Sequence, residues 1–195
     1  MGFGAGIGVT SNPISYRLAF GAYEDALRMV GVTSEPRVAG TVVSAARIQM
    51  FAATVQDANP SYWDVDFATR TWGGLLAPPA LLMGWLIPLP WEPGGRPPAA
   101  AIALRVPLPG STIVNAANEA EFPLPVVDGD RLTIVEEVVS VSPEKRSKLG
   151  VGHFIETLDT FTRQDGAVVA TNRNTLFRFT PPATMQSAAM RRSGG

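Results

Sequence analysis

Cysteine is absent from the 195-residue chain, which rules out disulfides, thiolate metal sites and cysteine nucleophiles together. A chain without cysteine suits a reducing compartment, and a cytoplasmic location is the expectation. Charge is scarce as well. Asp, Glu, Lys and Arg make up 17% of the residues, 16 basic against 17 acidic, for a net charge of −1. That balance offers no electrostatic footprint for nucleic acid or an anionic membrane surface. Histidine occurs once, as His153, so no histidine cluster can hold zinc, and no metal or other cofactor is expected. Long apolar runs are missing too. The most apolar stretch, "GGLLAPPALLMGWLIPLPW", is broken by proline and glycine well short of the roughly 18 residues a membrane span needs. The first residues, "MGFGAGIGVTSNP", have neither the basic start nor the apolar centre of a signal peptide. Their glycines imitate a dinucleotide fingerprint, but no strand precedes them.

What is present is a globular composition, 46% hydrophobic, of a length that suits one domain. Residues 1–13 and 183–195 read as flexible ends around a domain at 14–182. The first half is helical. "YRLAFGAYEDALRMVG" places Leu18, Tyr23, Ala26, Leu27 and Val30 near one face and stops at Gly31. "VVSAARIQMFAATVQD" has Ser44 as a candidate cap, with Ile48, Phe51, Ala52 and Val55 at helical spacing. A third helix is expected from Pro78-Pro79 to the residue before Pro88. It is apolar all round, so other structure should enclose it.

The second half reads as strands: "STIVNAANEAEF", "DRLTIVEEVVSVS", "VGHFIETLDTFTR" and "AVVATNRNTLFRF". Asp165-Gly166 signals a two-residue hairpin between the last two, and Asp128-Gly129 breaks the chain before the second run. In "HFIETLDTFT" one face carries Phe154, Glu156, Leu158 and Thr160, the other Ile155, Thr157, Asp159 and Phe161. Neither is purely polar, so both should be partly covered. One apolar helix followed by an antiparallel sheet long enough to curl around it predicts an α+β architecture, the single hot-dog fold. Its free edge strand and open face make pairing with a second domain the expectation.

Three segments, "QDANPSYWD", "WGGLLAPPALL" and "SKLGVGHFIETLDTFTRQDGAVVATNRNTLFRF", resemble the MaoC-like dehydratase/hydratase family, in its branch with a fatty-acid-synthase-like dehydratase N-terminal domain. The likeness runs from about Val42 to Phe179. It implies hydration of trans-2-enoyl-CoA thioesters, or the reverse dehydration, without a metal. The family signature is Gly-Asp-x-Asn-Pro-x-His. Its Asp and His handle water and protons, and a backbone N–H at the start of the enclosed helix holds the thioester oxygen.

Matched to that signature, Asp57 is the aspartate, Asn59 and Pro60 are the Asn-Pro pair, Gln56 replaces the glycine, and Tyr62 stands at the histidine position. A phenol of pKa near 10 is a poor two-way proton carrier. The His-Gly pair that opens the helix in active members is Pro78-Pro79 here, and proline has no N–H. Losing such a donor costs about 2.7–4 kcal/mol of transition-state stabilisation. Ala80, one position later, is a substitute donor. The resemblance therefore implies a non-catalytic subunit of a heteromeric enoyl-CoA hydratase, acting on a long or bulky, steroid-derived acyl-CoA among them. A partner hot dog would supply the Asp/His pair, in a heterodimer or dimer of heterodimers. An acyl-CoA-binding or scaffolding module without chemistry is the alternative.

Substrate contacts are expected from Asp57, Asn59, Tyr62, Trp72, Gly74, Pro79 and Ala80, with Asp57 and Tyr62 the weak catalytic candidates. Against this, Asp57 reads rather as the cap of the following turn, and Tyr62 rather as a packing residue with its hydroxyl tied to the backbone. Trp63, Trp72, Trp85 and Trp91 are tunnel-wall candidates, with Trp72 placed in a loop beside Gly73-Gly74 and Trp85 as much a core residue. Lys145, Arg146 and Lys148 could meet CoA phosphates or form a solvated turn. His153, in strand-like sequence, reads as structural or interfacial.

Overall fold

Alternation sets the sheet. In the computed structural model, which describes residues 17–87 and 101–182, the four β-rich runs become β2 (Thr112–Glu121), β3 (Thr133–Val141), β5 (Gly150–Thr162) and β6 (Val168–Thr180). Two short strands, β1 (Arg37–Val38) and β4 (Lys145–Ser147), go beyond the sequence reading. All pair antiparallel in the order β1–β3–β5–β6–β2, with β4 against β5. On β5 the Ile155, Thr157, Asp159 and Phe161 face is buried and the opposite face half-buried, so both sides are covered in part.

The β5–β6 turn holds three residues rather than two. Arg163 N–H donates to Ala167 O, Gly166 N–H donates to Arg163 O, both at 2.9 Å, and Gly166 adopts φ 82°. This is the three-residue connection that closes on a left-handed glycine.

The first helix is far shorter than its apolar spacing predicts. α1 covers only Tyr23–Leu27, with Ala26 buried but Leu27 and Val30 exposed. The chain leaves the helix because backbone bonds to β3 replace those of a further turn: Gly31 N–H donates to Val138 O at 2.8 Å, and Val138 N–H to Val32 O at 3.0 Å. α2 (Ala45–Thr54) starts after Ser44 as expected, but the Ser44 side chain makes no cap bond. Asp128 Oδ1 accepts from Ala45 N–H instead, at 2.7 Å. Ile48 and Ala52 are buried, whereas Val55 lies past the helix end and is exposed. α3 (Pro60–Trp63) and α4 (Val65–Trp72) follow, the second opened by Asp64 accepting from Phe67 N–H and closed by left-handed Gly73, φ 90°.

The apolar segment after Pro78 is a 3₁₀ helix, Pro79–Leu86, and it is not enclosed all round. Three residues per turn bring Leu82 and Trp85 onto one buried edge. Met83 stays 45% and Ile87 66% exposed. After α5 (Ile102–Arg105) the chain enters β2.

Two apolar clusters fill the concave face of the sheet. One joins α2, Tyr62 and the 3₁₀ helix to Ile134, Phe161 and Ala170; the other joins Ala26, Ile102, Val106 and Leu108 to Val138, Val141 and Ile155. The whole is a single α+β hot-dog fold with an open antiparallel sheet. Among the described residues no helix is long and apolar enough to cross a membrane. The expected flexible ends at 1–13 and 183–195, and Trp91, lie outside the described residues.

Candidate functional site

The stretch after α2 is built by a helix stop. Asp57 N–H donates to Ala52 O at 2.8 Å, Gln56 N–H to Ala53 O at 3.2 Å, and Gln56 takes φ 57°. These two bonds around a left-handed residue make a Schellman stop, and Gln56 occupies the position that favours glycine. The Asp57 carboxylate then accepts from Asn59 N–H at 2.9 Å, and Asn59 Oδ1 accepts from Ser61 N–H at 3.0 Å, opening α3 at Pro60. Trp63 Nε1 donates to Asp57 O at 2.8 Å. Asp57 is thus exposed and engaged as a turn cap. It lines an open depression of about 440 Å3 with Gln56 and Trp63.

Tyr62 points the other way. It is 7% exposed and packs in the first apolar cluster. Burial, and secondarily the Asp57 carboxylate, push its phenol above the usual value of 10. The expected bond from its hydroxyl to the backbone is not formed among the described residues. Asp57 and Tyr62 are close enough to interact electrostatically, yet one faces solvent and the other the core.

A second, small hollow, of about 50 Å3, lies at the start of the 3₁₀ helix between Ala77, Pro79, Leu82, Trp85, Phe122 and Leu124. Its walls are apolar. Pro79 lines it and offers no N–H; Ala80 is exposed and is not part of the lining. Trp85 both lines this hollow and packs in the core, with the Arg47 guanidinium 4.4 Å from its ring centroid.

Trp72 is the last residue of α4 rather than a loop residue, because Asp64 and Gly73 delimit a helix that apolar spacing did not reveal. Its Nε1 donates to Ser61 Oγ at 3.0 Å, and it lines neither hollow. Gly74 sits beside the Val127 side chain, outside both hollows. Lys145, Arg146 and Lys148 are exposed at the β4–β5 turn. Lys145 pairs with Gly152. The first apolar cluster meets β5 at Phe161, about 30 Å further along the strand. The structure does not bring this basic cluster to either hollow. His153 is buried, with Nδ1 2.9 Å from Ser142 O and its ring stacked on Tyr23 at 5.1 Å.

Sequence reading passed over a polar row on the concave face. Glu136, Asp159 and Asn172 are direct cross-strand neighbours on β3, β5 and β6. Asp159 is 2% exposed; its Oδ2 accepts from Asn172 Nδ2 at 3.2 Å and Asn174 Nδ2 at 2.6 Å, while Oδ1 has no partner among the described residues. Burial raises the Asp159 carboxyl, against the two amide bonds and the charge of Arg37. Burial raises Glu136 too, Asp159 adds to it, and Arg37 and the Ile102 N–H oppose. The signal was available in the alternation that put Asp159 on the face of Ile155 and Phe161. Among the described residues no three His, Asp or Glu side chains converge as a metal site.

Residues 28–172 match the family described as FAS1-like, dehydratase domain region. The chain is 35% identical over 176 residues to a probable enoyl-CoA hydratase alpha subunit of Thermomonospora curvata, a match that covers 85% of this chain and 54% of the relative. The chain therefore spans about half the length of the curated relative it matches. In structure it resembles a chain of the ChsH1-ChsH2 complex from Mycobacterium tuberculosis, with TM-score 0.67 and 23% identity over 82% of this chain and 92% of that one. It also resembles the MaoC-like dehydratase of Rhodospirillum rubrum, with TM-score 0.53 and 24% identity over 78% and 94% of the two chains.

Proposed function

The chain belongs to the FAS1-like dehydratase branch of the MaoC-like hydratases and dehydratases, and from that premise we propose that it is the non-catalytic subunit of a heteromeric enoyl-CoA hydratase. In this reading it shapes the acyl-binding cavity for a long or bulky acyl-CoA, steroid-derived groups included, and a second hot-dog chain supplies the Asp/His pair.

One observation carries the reading. Asp57 opens onto one hollow and Pro79 onto another, so the proton-handling positions and the apolar cavity do not share a space within this chain. Adding water across a conjugated double bond needs a base, a proton donor and an oxyanion donor around one set of reacting atoms. Here the base position is a turn cap, the histidine position is a buried phenol, and the oxyanion position is a proline. What remains suits substrate binding: an apolar hollow walled by Leu82, Trp85, Phe122 and Leu124. Support for a partner comes from β2, whose outer edge is unpaired among the described residues and whose last seven residues are exposed.

The test is to co-express the chain with a hot-dog chain bearing the intact Asp/His motif and follow loss of conjugated absorbance from an enoyl-CoA. Turnover by the complex and by neither chain alone is expected. Turnover by this chain alone, abolished by Asp57→Asn, overturns the reading. Tight acyl-CoA binding with no turnover beside any such partner favours the binding or scaffolding module instead.

A further inference from the structure

A carboxylate sits unfinished in the middle of the concave face. The row Glu136–Asp159–Asn172, with Thr157 and Asn174 one step along the strands, separates the two apolar clusters. It is short of donors. The Asn172 amide is shared among Asp159 Oδ2 at 3.2 Å, Asn174 Oδ1 at 3.0 Å and Met83 Sδ at 3.8 Å. The Asn174 amide goes to the same Oδ2, and Oδ1 of Asp159 receives nothing from the described residues. A buried acceptor left without a partner costs about 1–3 kcal/mol, more when charged, so a group that donates to it is bound in return.

Access is provided by one side chain. Met83 is half exposed on the outer side of the 3₁₀ helix, yet its sulfur touches Asn172, which is buried. An unbranched thioether with three rotatable bonds therefore spans the distance from surface to polar row, and its weak contact with the amide is easily given up. The geometry points to a polar subsite beneath Met83, formed by Asp159 and Asn172, that receives a hydroxyl group carried on the acyl part of the ligand. A hydroxyl both donates to Asp159 Oδ1 and accepts from the Asn172 amide, which a plain hydrocarbon cannot do. Burial raises both carboxyls of the row, and a hydroxyl pairs with Asp159 Oδ1 in either protonation state, because it can donate or accept there.

This inference rests on the acyl-CoA reading, and the experiment separates the two. Decanoyl-CoA and a set of hydroxydecanoyl-CoAs, with the hydroxyl at each position from the sixth carbon to the tenth, are titrated calorimetrically into the full chain in complex with its co-expressed hot-dog partner. One hydroxylated ligand is expected to bind at least about tenfold more tightly than decanoyl-CoA, a difference of about 1.4 kcal/mol. Asp159→Leu should bring the two within about twofold of each other. Met83→Phe, at a half-exposed position that tolerates substitution, should do the same by blocking entry, and it serves where Asp159→Leu does not fold. Binding of no ligand in the set overturns the acyl-CoA reading and the subsite with it. Equal binding of all ligands overturns the subsite alone. A preference that survives either substitution places hydroxyl recognition elsewhere and also overturns it.

Discussion

Gln56 carries a left-handed backbone with a side chain that disfavours it. The family glycine at this position is explained by the Schellman stop, which needs φ > 0 between Ala52 and Asp57. Gln56→Gly should therefore stabilise the fold. Relief of about 1–2 kcal/mol of left-handed strain exceeds the 0.5–1 kcal/mol entropic cost of glycine, and a rise in Tm of about 2 °C by calorimetry is expected. Tyr62→His, by contrast, should give no hydration activity to the chain alone, because that position is buried and Asp57 faces a different hollow. The enoyl absorbance assay checks it. Asp165 titrates at about 2, held down first by the Arg163 hydrogen bond. Its contribution to stability is present above the unfolded value of about 3.9 and is lost as pH falls through about 2. In NMR titration Arg163→Ala should move Asp165 back toward the unfolded value.

Between elements, two buried polar groups do different work. Arg178 on β6 is fully buried; it donates from Nε to Gly110 O, and from Nη2 to Ala19 O at 2.9 Å and Leu108 O at 3.1 Å. These carbonyls belong to the segments before α1 and after α5, so one guanidinium fastens both to the sheet. Arg178→Met takes the side-chain donor from Gly110 O and Leu108 O and leaves Ala19 O only the Leu108 N–H at 3.4 Å, and it should cost about 2–4 kcal/mol in denaturant unfolding. The Glu136–Asp159 pair acts oppositely. Both carboxyls are raised on folding, so the native state binds more protons than the unfolded one between their unfolded values, about 4, and their raised native ones. Stability should fall as pH rises through that interval. Asp159→Asn removes one contribution, and its stability measured against pH should descend less steeply than that of the unaltered chain.

For the molecule as a whole, the 3₁₀ helix decides how self-sufficient the domain is. It hides Leu82 and Trp85 and shows Met83 and Ile87, next to a hollow whose far wall is Phe122 and Leu124. Apolar surface left at the edge of a sheet is surface for another chain in the proposed assembly. Ile87→Glu should leave the Tm of the isolated chain unchanged, since the side chain is already in water. The same substitution should weaken assembly with the catalytic partner, read by size-exclusion chromatography of the co-expressed pair. If assembly is unaffected, the partner sits elsewhere.

The order of residues by itself determined the four long strands, because period-two alternation in "HFIETLDTFT" and its neighbours has one reading as a sheet face. It likewise marked Gln56, Tyr62 and Pro79 as departures from a catalytic pattern, since those are statements about residue type. Local pattern failed where long-range bonds overrode it. α1 ends early because β3 takes its backbone groups, and α2 is capped by Asp128, 83 positions away from Ala45. The apolar run after Pro78 predicts burial but not on which sides, and only the 3₁₀ geometry chose Leu82 and Trp85 over Met83 and Ile87. Only the tertiary structure, too, set Glu136, Asp159 and Asn172 side by side, because cross-strand register is a relation between distant segments that no local spacing contains.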